Sequence, residues 1–351
     1  MSTPRASFQP GLINGDFGDP GIYVGCAFER RALLFDLGDL APLALRELLR
    51  VSDAFVSHAH MDHFIGFDQL LRACLGRPKP LRLFGPPGIL AQVEAKLAAY
   101  TWDRDYGIEH DFAVRAVELA PGGGARTASF RSSRQFRRED EQALELPPGA
   151  ILAEPRFVMR AAFLDHRTPS IAFALEERER IHVKPEALAA LGLAPGPWLS
   201  ALKQAVAAGA PEEQEFRAQW FEEGTHGELR VPLGEIKRRA LAISPGAKIA
   251  YVTDALYSEA NAARIAALAA GADVLFIETV FADEDAALGR TRCHLTAGQA
   301  GRLAREAGAR AACQFHFSPR YKGREEILRR QFAEAFGGEV RSLRASAARP
   351  G

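Results

Sequence analysis

Between residues 57 and 64 the chain reads SHAHMDHF, which places His58, His60, Asp62 and His63 within six positions, directly after the apolar run AFV. Three of the nine histidines of this 351-residue chain fall in that segment. Side chains two apart on an extended strand point to one face, so His58 and His60 can share one metal ion. Asp62 and His63 follow as the chain turns and can reach a neighbouring one. Two donors per ion are too few. The fold must therefore bring the ends of other strands to the same rim.

The remaining donors are sought where apolar runs stop. His166 follows FVMRAAFLD, Asp254 follows KIAYVT, His294 sits in RCHLTAGQ before a helical pattern, and His316 follows RAACQF. Six of the nine histidines thus fall at strand ends or helix entries. His110, His182 and His226 do not, and read as surface or arm residues.

The first half of the chain reads mainly as strands (RRALLFDLGD, AFVSH, LRLFGPPG, FAVRAVEL, ARTASFRSS, FVMRAAFLDH, PSIAFALEE). Helical spacing appears in FIGFDQLLRACLG and ILAQVEAKLAAYTW. After about residue 246 strand and helix patterns alternate, which argues for an α/β layered protein with sheets inside and helices outside. Residues 178–246 differ: rich in Ala, Gly, Pro and charge, they read as an inserted helical arm or lid on a single domain spanning 1–345. Residues 346–351 read as a frayed tail.

Composition removes several classes. With 44 basic and 44 acidic residues, no global polycation for nucleic acid is present, although a local basic face is allowed. Neither an N-terminal apolar h-region nor a run of about 18 apolar residues occurs, so neither a secretory signal nor a membrane span is expected. Cys26, Cys74, Cys293 and Cys313 lie far apart with no CxxC, as suits free thiols in a reducing cytoplasm. Arg126, Arg131, Arg134, Arg137 and Arg138 form either a phosphate-contacting face or a solvated loop balanced by the acids at 139–141. Trp198, Lys203 and Trp220 either contact nucleic acid or belong to the arm's own small core. No Walker A, GxGxxG or GxSxG pattern is present.

The pattern H-x-H-x-D-H resembles the signature of the metallo-β-lactamase superfamily. The segments LDHRTPSIAFAL, LGLAPGPW, HLTAGQAGRLAREAGA and HFSPRY resemble motifs of ribonuclease Z, the tRNA 3′-end endonuclease, over roughly residues 33–330. The resemblance implies an αββα sandwich of two facing mixed β-sheets with outer helices and metals at one edge. It implies one metal on His58, His60 and His166, a second on Asp62, His63 and His316, and Asp254 bridging them. It further implies that His294 assists the leaving group, that an arm near 178–215 grips tRNA, and that the protein is a homodimer. Two departures stand out: GLINGDFGDPGIYVG replaces the family's Gly-rich N-terminal turn, and TDA replaces GDT around Asp254.

Two divalent ions about 3.5–4 Å apart lower the pKa of a water that attacks a phosphodiester, with the charge on the phosphoryl oxygens stabilised by the same ions. Asp62 would orient the nucleophile, His294 would give the leaving oxygen its proton, and Glu278, ending the buried run DVLFIET, could orient His294. Histidine and carboxylate donors suit zinc, and manganese or iron fits the same set. Three functions follow: a tRNA 3′-processing phosphodiesterase, a hydrolase of a small phosphodiester, cyclic nucleotide or lactone, and a metal-containing RNA-binding protein without turnover.

Overall fold

A computed structural model describes residues 7–27, 29–103, 111–222 and 225–345, which fall into two units. The first unit takes in residues 1–151, 160–174 and 248–351, and the second residues 152–159 and 175–247. His110 and the 346–351 tail lie outside the described residues.

Two sheets build the first unit. One has eight strands in chain order: Phe8–Leu12, Ile22–Cys26, Ala32–Phe35, Val51–Phe55, Pro80–Gly85, Ala113–Leu119, Ala125–Arg131 and Arg138–Leu144. Its four middle strands, Ala32–Phe35 through Ala113–Leu119, run parallel and its flanking pairs antiparallel. In the other, Lys248–Val252, Val274–Glu278 and Ala311–Phe315 run parallel, beside Thr168–Glu177 and Phe157–His166. Short apolar runs with no polar alternation, such as ALLF and VLFIE, are buried on both faces, as parallel strands between a facing sheet and a helix layer require.

Aromatic rings fill the space between the sheets. Phe35 lies 5.9 Å from Phe173 and 5.7 Å from Tyr251, and Phe55 lies 5.6 Å from Phe173 and 5.0 Å from Phe84. Helices Phe67–Cys74 and Ile89–Ala98 cover the outer face of the first sheet through Leu70, Leu71, Val93 and Leu97. Helices Glu259–Ala269, Ala297–Glu306 and Glu326–Phe336 cover the second through Ile265, Leu303, Leu328 and Phe332. The layers are α, β, β, α. Phe55→Ala empties the centre of this aromatic stack, and should lower stability by about 3–5 kcal/mol in a denaturant titration of the metal-free protein.

Three local expectations change. The helix from Ile89 stops at Ala98 rather than reaching Trp102, because the Trp102 indole folds back to donate to the Leu97 carbonyl at 2.8 Å. Of the arginines of 126–138, Arg126, Arg131 and Arg138 lie on strands of a β-meander and only Arg134 and Arg137 in the connection between them. The balance by the acids at 139–141 is present, with Arg126 and Arg138 paired to Glu141 and Arg134 3.9 Å from Glu139, while Arg131 pairs with Asp111 and Arg138 also with Glu94. The insertion is not purely helical. Besides helices Pro185–Ala189, Trp198–Ala207 and Leu233–Ala240 it carries two antiparallel ladders, Arg180–Val183 with Leu241–Ser244 and Glu215–Glu222 with Thr225–Pro232. Charge on alternate positions of EFRAQWFE and THGELRVP masks a period of two that buries Ala218 and Val231. Trp198 is buried in this unit's own core with Leu188, Leu202 and Ile236, Trp220 packs on the same core, and Lys203 is exposed.

Candidate metal centre

Parallel strands put all their C-terminal ends on one edge, and this edge gathers the titratable residues. Asp36 follows Ala32–Phe35, and Ser57 and His58 follow Val51–Phe55 in the neighbouring strand. On the second sheet Asp254 follows Lys248–Val252, Glu278 ends Val274–Glu278, and His316 follows Ala311–Phe315. His166 ends Phe157–His166. His294 is fixed from behind by the helix it precedes. The Thr296 hydroxyl accepts from the Gln299 amide while the Gln299 side chain accepts from the Thr296 amide.

Asp254 is buried at the centre, and its two oxygens face different histidines. Oδ2 lies 3.5 Å from His58 Nε2 and 3.3 Å from His166 Nε2, with the His60 ring 4.4 Å from that of His58. Oδ1 lies 3.4 Å from His63 Nε2 and 3.0 Å from His316 Nδ1. Asp62 Oδ2 closes the second group at 3.5 Å from His63 Nε2 and 3.4 Å from His316 Nε2. All seven residues expected as ligands therefore lie together, as a His58–His60–His166–Asp254 group and an Asp62–His63–His316 group. A third group joins Asp254, Glu278, His294 and His316. His182, on a strand of the second unit, has no part in these groups, and the His226 side chain lies outside the described residues.

These residues can hold cations. His58 Nε2 and His63 Nε2 are buried without a hydrogen-bond partner, an expensive state for a polar atom with nothing to bind. Most of their distances to the carboxylates are too long for good hydrogen bonds. They match instead the separation of about 3.3 Å between two donors sitting tetrahedrally at about 2.0–2.1 Å from a zinc ion. The site is also backed by groups that aim the rings. His63 Nδ1 lies 2.8 Å from Asp36 Oδ2, and that carboxylate also accepts from the Ser57 amide, the Ser57 hydroxyl and the Tyr251 hydroxyl. His166 Nδ1 donates to the Cys293 carbonyl at 2.8 Å, which turns Nε2 toward Asp254.

Protonation equilibria follow the charges. Burial and the neighbouring His63 push His58 down to about 2, leaving a neutral ring at ordinary pH. Burial also opposes charge on His316, but Asp254 and then Asp62 overcome it and raise its pKa to about 10. Asp254 is itself held well below the carboxylate range: burial works the other way, and His63 and His316 outweigh it.

Glu278 is buried and fully engaged. Its Oε1 accepts from the Ala255 and Leu295 amides at 2.9 and 3.1 Å, and its Oε2 from His294 Nδ1 at 2.7 Å. Burial lowers the His294 pKa, but Glu278 and then Asp254 outweigh it and the net shift is upward. Positive φ angles gather around this edge: Asp36 at 56°, Arg167 at 60°, Asp254 at 38°, Cys293 at 59° and His316 at 61°. Strain of this kind is held only where the surroundings over-determine it, as at functional sites. Sequence reasoning missed Asp36, Ser57 and Tyr251. The signal for Asp36 was the one used for Glu278, a carboxylate ending a buried apolar run.

Fold and site define a metallohydrolase of the metallo-β-lactamase superfamily. A beta-lactamase superfamily domain matches residues 22–147. A metallo-β-lactamase-fold protein of Bacillus subtilis superposes with a TM-score of 0.54 at 17% identity, covering 97% of each chain. Human short-form tRNase Z superposes at 0.50 with 16% identity, covering 90% of this chain and 92% of that one. In sequence, ribonuclease Z of Deinococcus radiodurans is 32% identical over 302 residues, 85% of this chain and 86% of that protein. Ribonuclease Z of Methanosarcina mazei is 30% identical over 297 residues, 82% and 79% respectively. The chain belongs to the ribonuclease Z family.

Proposed function

We propose that this protein is a metal-dependent endoribonuclease that cuts phosphodiesters at the 3′ end of tRNA precursors, with two ions held by His58, His60, His166 and Asp254 on one side and Asp62, His63, His316 and Asp254 on the other. The observation that carries the reading is the split of Asp254, one oxygen to each histidine group, beside a Glu278–His294 pair. Bound there, divalent ions (zinc for this donor set) supply Lewis-acid stabilisation of phosphoryl charge and a water of lowered pKa.

The chain's own groups do the rest. Asp62, its side chain 42% exposed, is the carboxylate of the cluster most open to the cleft and is positioned to orient the attacking water. His294 holds a proton at Nε2 for the departing oxygen, since Nδ1 is taken by Glu278. The 178–215 part of the insertion, which resembles the family's arm around APGPW, would grip the tRNA body. The four buried thiols suit a cytoplasmic setting, and a homodimer is expected in a sedimentation measurement.

The test is cleavage of a 3′-extended tRNA precursor, with bis-p-nitrophenyl phosphate assayed in parallel. Dialysis against a chelator should remove both activities, and zinc or manganese should restore them. Turnover of the small ester with no cut in the precursor would transfer the site to a smaller substrate. No turnover of either by metal-loaded protein would sink the hydrolase reading.

A further inference from the structure

The N-terminal segment GLINGDFGDPG, which departs from the family's Gly-rich turn and precedes the matched domain, forms part of the reaction cleft. A cavity of about 480 Å³ opens beside the metal centre, and its walls include Phe17, Asp62, Phe281, Arg292, His294 and His316. None of the catalytic roles above uses Phe17. Its ring is half-buried, so one part packs and another faces the cavity.

This ring is held rigidly. It meets the buried Phe317 ring edge-on at 5.5 Å, and the Arg329 guanidinium sits 5.6 Å from the Phe317 centroid. Asp16 ties the loop down through both carboxylate oxygens, to Arg329 and Arg344, while its carbonyl accepts from the Phe317 amide at 2.7 Å. On the other side Asn14 Nδ2 donates to the carbonyls of Asp19 and Asp39 at 3.0 and 2.8 Å. Gly18 is required for this closure, because a Cβ there would lie 2.5 Å from that of Asn14. A fixed aromatic ring beside a phosphodiester centre, with the exposed guanidinium of Arg292 on the same cavity, has the composition of a stacking platform with a backbone contact.

We propose that Phe17 forms a nucleobase subsite: the base of the nucleotide bearing the departing oxygen stacks on its ring, on the His294 side of the cleft. This rests on the reading of the site as an RNA phosphodiesterase. The subsite recognises any base through its π face, and so grips a nucleotide without selecting its sequence.

Calorimetric titration of the zinc-loaded protein with adenosine 3′- and 5′-monophosphates, and with ribose 5-phosphate as the base-free control, tests it. At least one adenosine monophosphate should bind about tenfold more tightly than the sugar phosphate, the lower range of base–aromatic stacking. Phe17→Leu, which keeps the apolar contact to Phe317, should abolish most of that difference while leaving ribose 5-phosphate affinity and zinc content unchanged. Phe17→Tyr should retain it. Equal affinities in the wild type, or discrimination that survives in Phe17→Leu, would overturn the subsite. Precursor cleavage assayed alongside reads the parent function separately: base-dependent binding lost in Phe17→Leu supports the subsite even where the precursor is not cut.

Discussion

Asp254→Asn should cut RNA cleavage by about a thousandfold or more and remove bound metal with it. The substitution keeps the shape of the side chain, so packing around this buried position is preserved. What changes is charge and polarity at two oxygens that each face two histidine nitrogens, within 3.0 to 3.5 Å. An amide presents an NH₂ on one of those sides, where a cation would have to sit. Stabilisation of phosphoryl charge by bound ions contributes several kcal/mol, and about 1.4 kcal/mol corresponds to each factor of ten. Zinc per chain, measured by atomic absorption after gel filtration, should fall together with kcat. Full zinc content with normal kcat in the variant would refute the central role of Asp254. His58→Ala serves as the contrast: it removes a donor from one group only, and should lower zinc content less than Asp254→Asn does.

The part of this site legible in the sequence is the part where chemistry needs residues close together or at the ends of strands. His58, His60, Asp62 and His63 fall within six positions because one turn after a strand can supply both groups. Asp254, Glu278 and His316 were readable because parallel strands deliver their C-terminal ends to one edge, and each apolar run stops at the residue in question. The support of the site was not readable. Asp36 and Tyr251 share a hydrogen bond across 215 positions, and nothing local marks either as the other's partner. Phe17 lies in a segment that the sequence marked only as departing from the family's Gly-rich turn, and contacts remote in sequence, of Asp16 with Arg329, Arg344 and the Phe317 amide, bring it to the cleft. The ladder of 215–232 escaped for a different reason. Its outward face is charged, so its alternation resembled polar surface rather than a strand.

The pair of Glu278 and His294 carries the second large effect. Glu278→Gln should lower kcat for RNA by about a hundredfold to a thousandfold, within the range for losing a positioned general acid, while zinc content and KM change little. The glutamine oxygen can still accept from the Ala255 and Leu295 amides, so the backbone around the site stays in place. Its NH₂ then points at His294 Nδ1, where the carboxylate had accepted at 2.7 Å. Two donors cannot share that contact, so Nδ1 must give up its hydrogen and the imidazolium is no longer accessible. The upward pKa shift that Glu278 sustains against burial is lost, and the ring becomes a poor acid. His294→Ala should cost about as much, and the double variant no more than either alone, because the two act as one unit. The leaving group separates this role from a structural one. A p-nitrophenolate departs as a stable anion and needs no proton, so Glu278→Gln should leave turnover of bis-p-nitrophenyl phosphate within about threefold of wild type. An equal loss on both substrates would mean that Glu278 supports the site's shape, and the proton-donor assignment of His294 would fall with it.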